Sequence, residues 1–437
     1  MSLLERQRKH VLATWSAQSK AAHVSIAGGS GATFRDHDGR PWLDFESQVF
    51  NCNAGHGERR ITDAMARQAA ELGCAHPNAV FEAKAALGEA LARITPPGIE
   101  KFLLCLSGAE ANENALKIAR LVTGRSKVIA RWRSYHGASM GALSLTGDPR
   151  RLPTEPGLWG VVRAEDPYCY RCPFGLERPT CQTRCATHLE RLIEMEGPDQ
   201  IAAIFLEGVT GANGGFVPPP DYWPTVRALC ERYGILLVAD EVFTGFGRTG
   251  RWFAVDHWDV APDLITMAKG LTSGYAPLGA VGVSAQVAAH FDDETLWCGL
   301  TTHGHPVSCA AALATIGVYE EDGLVARSAQ LGVHLQERLQ ALRARHPNVI
   351  GDARGLGLFG TLELLSDRER QSPLVGFNQA PTPGSPAARL KSALSARGLH
   401  ILLRWSYLFI APPLCITDAE LDHGLDAIDA ALDEVFG

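Results

Sequence analysis

One stretch of the chain, residues 235–270, restricts the possible folds more than any other. It opens with an apolar run, residues 235–239, whose length and β-branched content predict a strand buried on both faces. A second short apolar run, residues 263–268, predicts another strand. Apolar strands alternate with helical patterns along the chain. The sequence therefore predicts an α/β fold with a mainly parallel central sheet flanked by helices.

Ionisable residues stand at the C-terminal ends of these two strands. Asp240 and Glu241 follow the first run, and Lys269 ends the second, with Gly270 beside it. Ligands of open α/β sheets bind at this edge, so a carboxylate and an amine are expected to face one cavity. Pyridoxal 5'-phosphate (PLP) requires a lysine for its aldehyde and a carboxylate for its ring nitrogen. On spacing alone, a helix-capping Asp240 and a solvated Lys269 are the ordinary alternative.

The residues around this pair carry a family resemblance. The segment DEVFTGFGRTG at 240–250, followed by TMAKG at 266–270, resembles the pattern of class III (ω-type) PLP-dependent aminotransferases of fold type I. The resemblance extends from about residue 15 to residue 413. It implies PLP as the cofactor and three site residues: Lys269 as the Schiff-base lysine, Asp240 as the partner of the ring nitrogen, and Val242 as a residue that packs on the ring.

A second segment provides a candidate phosphate site. A short apolar strand, beginning at residue 101, runs into Ser107, Gly108 and Ala109, and a helical pattern starts at once. A turn of small residues at a helix N-terminus exposes backbone N–H groups that bind anions. The segment also resembles the family pattern SG(A/S/T)EA(N/V)E, which implies Gly108 and Ala109 as binders of the cofactor phosphate.

A third strand, predicted over residues 128–133, leads into Tyr135 and His136. An aromatic side chain at a strand end can stack on a planar heterocycle. The resemblance implies that Tyr135 stacks on the cofactor and that His136 completes the motif. Arg131 and Arg133 lie within the strand pattern, which favours solvated side chains over an anion-binding role.

The substrate side of the site is implied by four positions. Glu207 ends a predicted buried strand at 201–207. In the resembling family this glutamate faces the substrate and pairs with a mobile arginine, which implies Arg404 as its partner. An arginine fork suits carboxylate, sulfonate or phosphonate groups. Trp15 and Phe50 match positions that line the substrate entrance and pocket of relatives.

The segment that begins at Gly299 resembles one that crosses a dimer interface to the neighbour's cofactor phosphate. This implies Thr301 as a phosphate-binding residue and a homodimer or higher oligomer with shared active sites. Three residues depart from the family pattern. Phe243 stands where many relatives carry a glutamine that bonds the cofactor's phenolic oxygen, Gly208 replaces a proline, and His303 replaces a small residue.

An insert at residues 166–190 contains four clustered cysteines. Their spacing, C-x2-C-x8-C-x3-C, is compatible with a small structural zinc loop or with a compact surface loop with free thiols. PLP chemistry requires no metal, so no metal ligand is expected in the active site. The four are Cys169, Cys172, Cys181 and Cys185.

Composition narrows the remaining possibilities. The chain has 437 residues, 46% of them hydrophobic, and can bury a large core. The net charge of -7, without a basic run, argues against nucleic acid or a membrane surface as a partner. The N-terminus lacks a signal-peptide pattern, which favours a cytoplasmic enzyme. The expected division is an N-terminal segment of a small α/β domain (1–65), a large PLP-binding domain (66–320) and a C-terminal small domain (321–437).

The resemblance implies an aminotransferase that moves an amino group from a primary amine or ω-amino acid to a 2-keto acid such as pyruvate or 2-oxoglutarate. The CYRCPFG insert and the RW…APPLCIT ending look most like taurine and other ω-amino acid aminotransferases. Three alternatives stay open at this point. They are a PLP-dependent lyase that eliminates ammonia or phosphate from an amino-phosphonate or phospho-amine, an amino-sugar aminotransferase, and a non-catalytic binding protein on the same fold.

Overall fold

The computed structural model describes residues 1–437, which form three β-sheets packed with helices. The strands are β1 (Gly28–Ser30), β2 (Thr33–Arg35), β3 (Pro41–Asp44), β4 (Ile99–Cys105), β5 (Lys127–Arg131), β6 (Val161–Ala164), β7 (Ile201–Glu207), β8 (Leu236–Asp240), β9 (Leu264–Met267), β10 (Gly279–Ser284), β11 (Ile350–Gly355), β12 (Gly360–Asp367), β13 (Ser372–Pro373), β14 (Leu399–His400), β15 (Leu402–Arg404) and β16 (Tyr407–Ile410). The helices are α1 (Leu3–His10), α2 (Ser47–Phe50), α3 (Arg59–Glu71), α4 (Glu82–Ile94), α5 (Gly108–Thr123), α6 (Met140–Leu145), α7 (Arg184–Glu196), α8 (Tyr222–Tyr233), α9 (Ala285–His290), α10 (Pro306–Glu321), α11 (Leu324–Arg345), α12 (Pro386–Ala396) and α13 (Asp418–Phe436).

The central sheet has seven strands in the order β4-β10-β9-β8-β7-β5-β6. Its neighbours from β9 to β6 are parallel, and only β10 is antiparallel to the strands beside it. All seven residues of β7 are buried, as expected for a strand covered by helices on both faces. The predicted α/β fold with a mainly parallel sheet is confirmed.

Two smaller sheets flank this layer. One has the order β1-β2-β3-β14, so the N-terminal hairpin pairs with a strand from the C-terminal part of the chain. Leu43 and Leu399 are partners in that parallel pair. A hairpin joins β2 and β3 around Gly39, which has the positive φ of 82° that its turn requires. The other sheet, β11-β12-β16-β15, is antiparallel throughout. No helix of the chain has the length and apolarity needed to cross a bilayer.

The helix α2 is a single left-handed turn made without glycine. All four of its residues have φ between 48° and 65°, and Val49, with φ 65°, carries a β-branched side chain in that region. Its surroundings hold the turn in place. The Ser47 hydroxyl donates to the Ala411 carbonyl at 2.5 Å, and Gln48 Nε2 donates to Asp44 Oδ2 at 3.0 Å. Such strain is typical of segments that border functional sites.

Replacing Val49 with glycine is expected to stabilise the protein. The change relieves the left-handed backbone strain, and it removes a side chain that is 62% exposed and contributes little packing. After subtraction of the entropy that glycine adds to the unfolded chain, the gain is about 0.5–1 kcal/mol. Val24→Gly is the matched control, because Val24 is 54% exposed but has no positive φ. The unfolding temperature of Val49→Gly should be higher than that of wild type, and that of Val24→Gly should be equal to it or lower. An equal decrease in unfolding temperature in both variants would contradict the backbone strain at Val49.

Candidate active site

The candidate site lies at the carboxyl edge of β7, β8 and β9. Glu207 and Asp240 are register partners at the ends of β7 and β8, and Asp240 pairs in turn with Thr266 of β9. Because these strands are parallel, their last residues meet at one edge of the sheet. Lys269 follows β9 by two residues. As expected, the structure places the carboxylate of Asp240 and the amine of Lys269 at the same edge of the sheet.

Asp240 is held by hydrogen bonds on both carboxylate oxygens. His136 Nδ1 lies 2.7 Å from Asp240 Oδ2, and Asn112 Nδ2 donates to the same oxygen at 2.8 Å. The N–H of Val242 donates to Oδ1 at 3.0 Å. Asn112 also donates to the His136 carbonyl at 2.8 Å and accepts from the Thr266 hydroxyl at 3.0 Å, which fixes its amide. The carboxylate is thus buried, oriented and stabilised as an anion.

Lys269 has an unusual backbone and an unusual environment. Its φ is 44°, and a Cβ on the adjacent Gly270 would lie 2.6 Å from Asn53 Nδ2, so the close turn requires glycine there. The ammonium nitrogen lies 5.6 Å from the ring centre of Phe50 and 5.5 Å from that of Phe243. Burial lowers the pKa of Lys269 from 10.5 to about 8, although the carboxylates of the site oppose the shift. At pH 7 about a tenth of the amine is therefore the free nucleophile, far more than at the usual lysine pKa.

This pKa predicts the pH dependence of labelling in the cofactor-free protein. Below pH 8 Lys269 is mostly protonated and unreactive, and above it the amine is free, so its reaction with an amine-directed electrophile should rise with pH around a midpoint near 8. Peptide-level mass spectrometry after brief labelling at a series of pH values measures that midpoint. A midpoint near 10.5 would contradict the effect of burial.

A second feature of the site is the N-terminus of α5. Gly108 and Ala109 are the first two residues of this helix, where backbone N–H groups have no intrahelical acceptor. Ser107 caps the helix by accepting from the N–H of Glu110 at 3.2 Å. A Cβ on Gly108 would lie 2.6 Å from Val242 Cγ1, so only glycine fits between this turn and the strand that carries Asp240. The arrangement suits an oxyanion next to the Asp240 cluster.

Tyr135 and Trp15 lie together at the outer side of this cluster. Their rings meet edge to face with centroids 6.4 Å apart, and Trp15 is 59% exposed. Burial raises the pKa of Tyr135 above its usual 10. The guanidinium of Arg150 stacks on Tyr135, with Cζ 3.6 Å from the ring centre. Trp15 therefore lies on the exposed side of the cluster, and its role at a substrate entrance stays a prediction.

Glu207 has a different partner from the predicted one. Its Oε2 lies 3.8 Å from the guanidinium of Arg131, whose Nη2 also donates to the Glu207 carbonyl at 3.0 Å. Burial raises the pKa of Glu207 to about 8, even though Arg131 opposes the shift. Arg131 is fully buried and Arg133 is only partly exposed, so the expectation that both are solvated strand residues was wrong. Strand β5 ends at Arg131 rather than at residue 133, and the Arg131 guanidinium lies in the core.

Arg404 bonds to Asp148 instead of Glu207. Arg404 Nη2 donates to Asp148 Oδ2 at 2.7 Å, and Asp148 is fully buried. The predicted direct pair between Glu207 and Arg404 is therefore not formed in this structure. Each carboxylate already has an arginine from a nearer element, Arg131 on β5 for Glu207 and Arg404 on β15 for Asp148.

An aromatic wall closes the substrate side near Lys269. Phe50 and Phe243 meet at a centroid distance of 4.9 Å, and Phe243 meets Phe359 at 4.7 Å. Phe409 stacks on Phe359 at 6.2 Å. These four rings belong to one buried apolar cluster, so this part of the site is apolar.

Thr301 lies apart from this cluster. It is exposed and lines a separate cavity of about 750 Å³, together with apolar side chains that include Phe102, Phe291 and Leu300. A single chain therefore does not bring Thr301 to Lys269. The four cysteines of the insert are free, Cys169 exposed and Cys185 buried, and the expected absence of a metal ligand stays a prediction.

The residues at the sheet edge fit PLP. They provide a fixed carboxylate for a cationic ring nitrogen, an amine of lowered pKa, and a helix N-terminus that admits no Cβ at Gly108. Two buried polar atoms of the same region, Glu207 Oε2 and Thr210 Oγ1, have no hydrogen-bond partner in the protein. Such atoms are typical of a site that binds a polar ligand.

Sequence reasoning missed three residues of the site, Asn112, Asp148 and Arg150. Asn112 is the fifth residue of α5, where its polarity indicated only a position near the helix start. Asp148 and Arg150 lie on either side of Pro149 in the sequence. This pattern predicts a capped turn but does not indicate a partner elsewhere in the chain.

Comparison with known proteins agrees with the geometry. The family model described as aminotransferase class-III matches residues 14–432. The chain is 36% identical over 463 residues to a diaminobutyrate–2-oxoglutarate transaminase of Halomonas elongata, covering 99% of this chain and 96% of that protein. It is 35% identical over 422 residues to a taurine–pyruvate aminotransferase of Bilophila wadsworthia, covering 93% of this chain and 91% of that protein.

A solved structure is equally similar. The taurine:2-oxoglutarate aminotransferase from Bifidobacterium kashiwanohense, in complex with PLP and glutamate, superposes with a TM-score of 0.93 at 36% identity. The match covers 98% of this chain and 96% of that one. At this identity and coverage the similarity extends through both the central sheet and the smaller sheets.

Proposed function

The chain belongs to the class III aminotransferases, PLP-dependent enzymes that move amino groups to keto acids, and we propose that its donor is a primary amine or ω-amino acid with an anionic end. The observation that carries the proposal is the pair formed by Arg404 and Asp148 beside Tyr135, which presents a guanidinium at the substrate side. Taurine and other ω-amino acids have the required chemistry, and pyruvate or 2-oxoglutarate would serve as acceptors. An amino sugar has no anionic end for this guanidinium to bind.

The residues at the sheet edge would divide the chemistry among them. Bound PLP supplies an electron-withdrawing ring that accepts the electrons of a substrate C–H bond. Asp240 would bond the ring nitrogen and keep it protonated, and Lys269 would bond the cofactor covalently and then carry the proton as general base and acid. The lowered pKa of Lys269 suits that task because the amine gains and loses a proton near neutral pH.

The remaining contacts bind and orient. Gly108 and Ala109 would donate backbone N–H groups to the phosphate. Tyr135 and Val242 would cover the cofactor ring, with His136 holding Asp240 in place. Arg404 would bind the anionic end of the substrate. The other proposed substrate contacts are Trp15, Phe50 and Glu207.

One experiment tests the donor and the reaction type together. Purified enzyme with PLP is mixed, without any keto acid, with taurine, β-alanine and amino-phosphonates, and the cofactor spectrum and products are followed. Aminotransfer should consume the cofactor's visible band once and give one equivalent of carbonyl product, and it should stop until pyruvate is added. Continued release of ammonia or phosphate would identify the lyase alternative, and reaction only with uncharged amines would contradict the anionic donor.

We also propose a homodimer in which Thr301 contributes to the phosphate site of the partner subunit. The exposure of Thr301, and of Trp297 at 71%, beside the apolar cavity of about 750 Å³ supports an interface there. Mixing Lys269→Ala subunits with Thr301→Arg subunits tests it, because heterodimers should regain one intact site. A monomer by analytical ultracentrifugation would contradict the proposal.

The domain division is proposed in the same way, as residues 1–65 and 321–437 around a large domain of 66–320. Pairing between β3 and β14 supports joining the two chain ends. The cytoplasmic location stays a prediction.

A further inference from the structure

Asp148 is shared by two arginines. Arg150 Nε lies 3.0 and 2.9 Å from the two carboxylate oxygens, Arg150 Nη2 lies 2.6 Å from Oδ2, and Arg404 Nη2 lies 2.7 Å from the same oxygen. Although burial raises the pKa of Asp148, hydrogen bonds from Arg150 lower it below the usual 3.8, so the group is a carboxylate at neutral pH. One negative charge thus holds two positive ones side by side.

The Arg150 side chain borders the active site rather than the outer surface of the turn. Its guanidinium stacks on Tyr135 with Cζ 3.6 Å from the ring centre and lies 5.3 Å from the ring of Trp15. Its charge is also close enough to Lys269 to contribute to the lowered pKa of that amine, after the larger effect of burial. Arg150 therefore contacts Tyr135 and Trp15, and its charge acts on Lys269.

Both arginines keep hydrogen-bond donors for a ligand. Asp148 uses Nε and Nη2 of Arg150 and Nη2 of Arg404, whereas Nη1 of each side chain has no protein acceptor. The two side chains are 21% and 20% exposed, so both guanidinium groups are partly accessible to solvent. The neighbouring Arg133 is not equivalent, because its Nη2 donates to the Asn213 carbonyl at 2.8 Å.

We propose that Arg150 is a second anion-binding residue of the substrate site and that Asp148 is the positioning residue that holds it beside Arg404. A carboxylate or sulfonate has at least two acceptor oxygens, and the paired guanidinium groups would each donate to one of them. The inference rests on the proposed function, because it assigns the contacts for the anionic end of the same donors and acceptors.

A purely structural role is the competing explanation. The N–H of Arg150 donates to Asp148 Oδ1 at 2.7 Å, which caps the short turn Pro149–Thr154. If the Arg150 side chain bound no substrate, it would only reinforce that cap. Loss of a cap would affect all substrates alike, since it changes the fold and not the recognition of charge. Loss of an anion contact would affect only substrates that carry the anion.

Pyruvate and acetaldehyde separate the two roles, because acetaldehyde is pyruvate with the carboxylate replaced by hydrogen. In the PLP enzyme, Arg150→Gln should raise the KM for pyruvate by about tenfold or more and change the KM for acetaldehyde less than about twofold. Arg150→Lys should recover part of the loss. Arg151→Gln is the matched control, since the Arg151 side chain pairs with Glu155 at 3.1 Å and forms no bond to the Asp148 carboxylate. Equal changes for both acceptors would overturn the proposal.

Binding of propionate and propane-1-sulfonate gives a readout besides activity. Calorimetric titration of the PLP enzyme should show about tenfold weaker binding of both anions in Arg150→Gln and in Asp148→Asn, and no change in Arg151→Gln. No saturable binding in wild type, or equal binding in all variants, would overturn the inference. Failure of pyruvate to accept an amino group from any donor would instead reject the proposed function, whatever the anion titrations give.

Discussion

Lys269→Ala is expected to lower the rate of amino transfer by about a thousandfold or more. The variant removes the amine at the sheet edge that is both nucleophile and proton carrier, while Asp240 and the N-terminus of α5 stay in place to bind the cofactor. Single-turnover measurement with a reactive donor gives the rate. The variant should also bind PLP without a covalent link, so dialysis should remove the cofactor.

Two comparisons distinguish chemistry from damage to the fold. Lys269→Arg keeps a cation between Phe50 and Phe243 but has no free amine near neutral pH, so it should be as slow as the alanine variant. A small added amine such as methylamine should restore part of the rate in Lys269→Ala, because the cavity left by the side chain admits a replacement base. A variant within tenfold of wild type would reject the assignment of Lys269.

The sequence predicted the parts of the site that depend on local pattern. Apolar runs end where the chain leaves the core of the sheet, so the positions of Glu207, Asp240 and Lys269 at strand ends followed from the runs themselves. Parallel neighbours then bring those ends to one edge. The start of α5 after a turn of small residues was also predicted from local sequence pattern.

The contacts that the sequence did not predict join distant segments. Arg404 and Asp148 are 256 residues apart, and no local pattern decides whether Arg404 bonds Asp148 or Glu207. The burial of Arg131 likewise depends on carboxylates from other elements, Asp166 and Glu207, that surround it. The left-handed turn of α2 contains no glycine to reveal it. These features depend on tertiary packing, which outweighs local preference.

Asp240→Asn is expected to lower the rate of amino transfer by about a hundredfold to a thousandfold, while PLP stays bound. The carboxylate takes part in three hydrogen bonds from the protein, and an amide of the same shape can keep only part of that arrangement. It also lacks the negative charge that would keep the ring nitrogen protonated, and a neutral ring withdraws electrons less strongly. Single-turnover rates with saturating donor isolate this effect from donor binding.

Glu241→Gln is the matched control, because it changes the neighbouring buried carboxylate. Glu241 turns away from the site and accepts from the N–H groups of Ala254 at 3.0 Å and Val255 at 2.9 Å. Burial raises its pKa to about 7, so the folded protein already tolerates a partly neutral side chain there. Its replacement should alter thermal stability and leave the single-turnover rate within about threefold of wild type. If the single-turnover rate fell equally in both variants, the two buried carboxylates would act only through the fold. A decrease in Asp240→Asn alone would assign the ring-nitrogen role to Asp240.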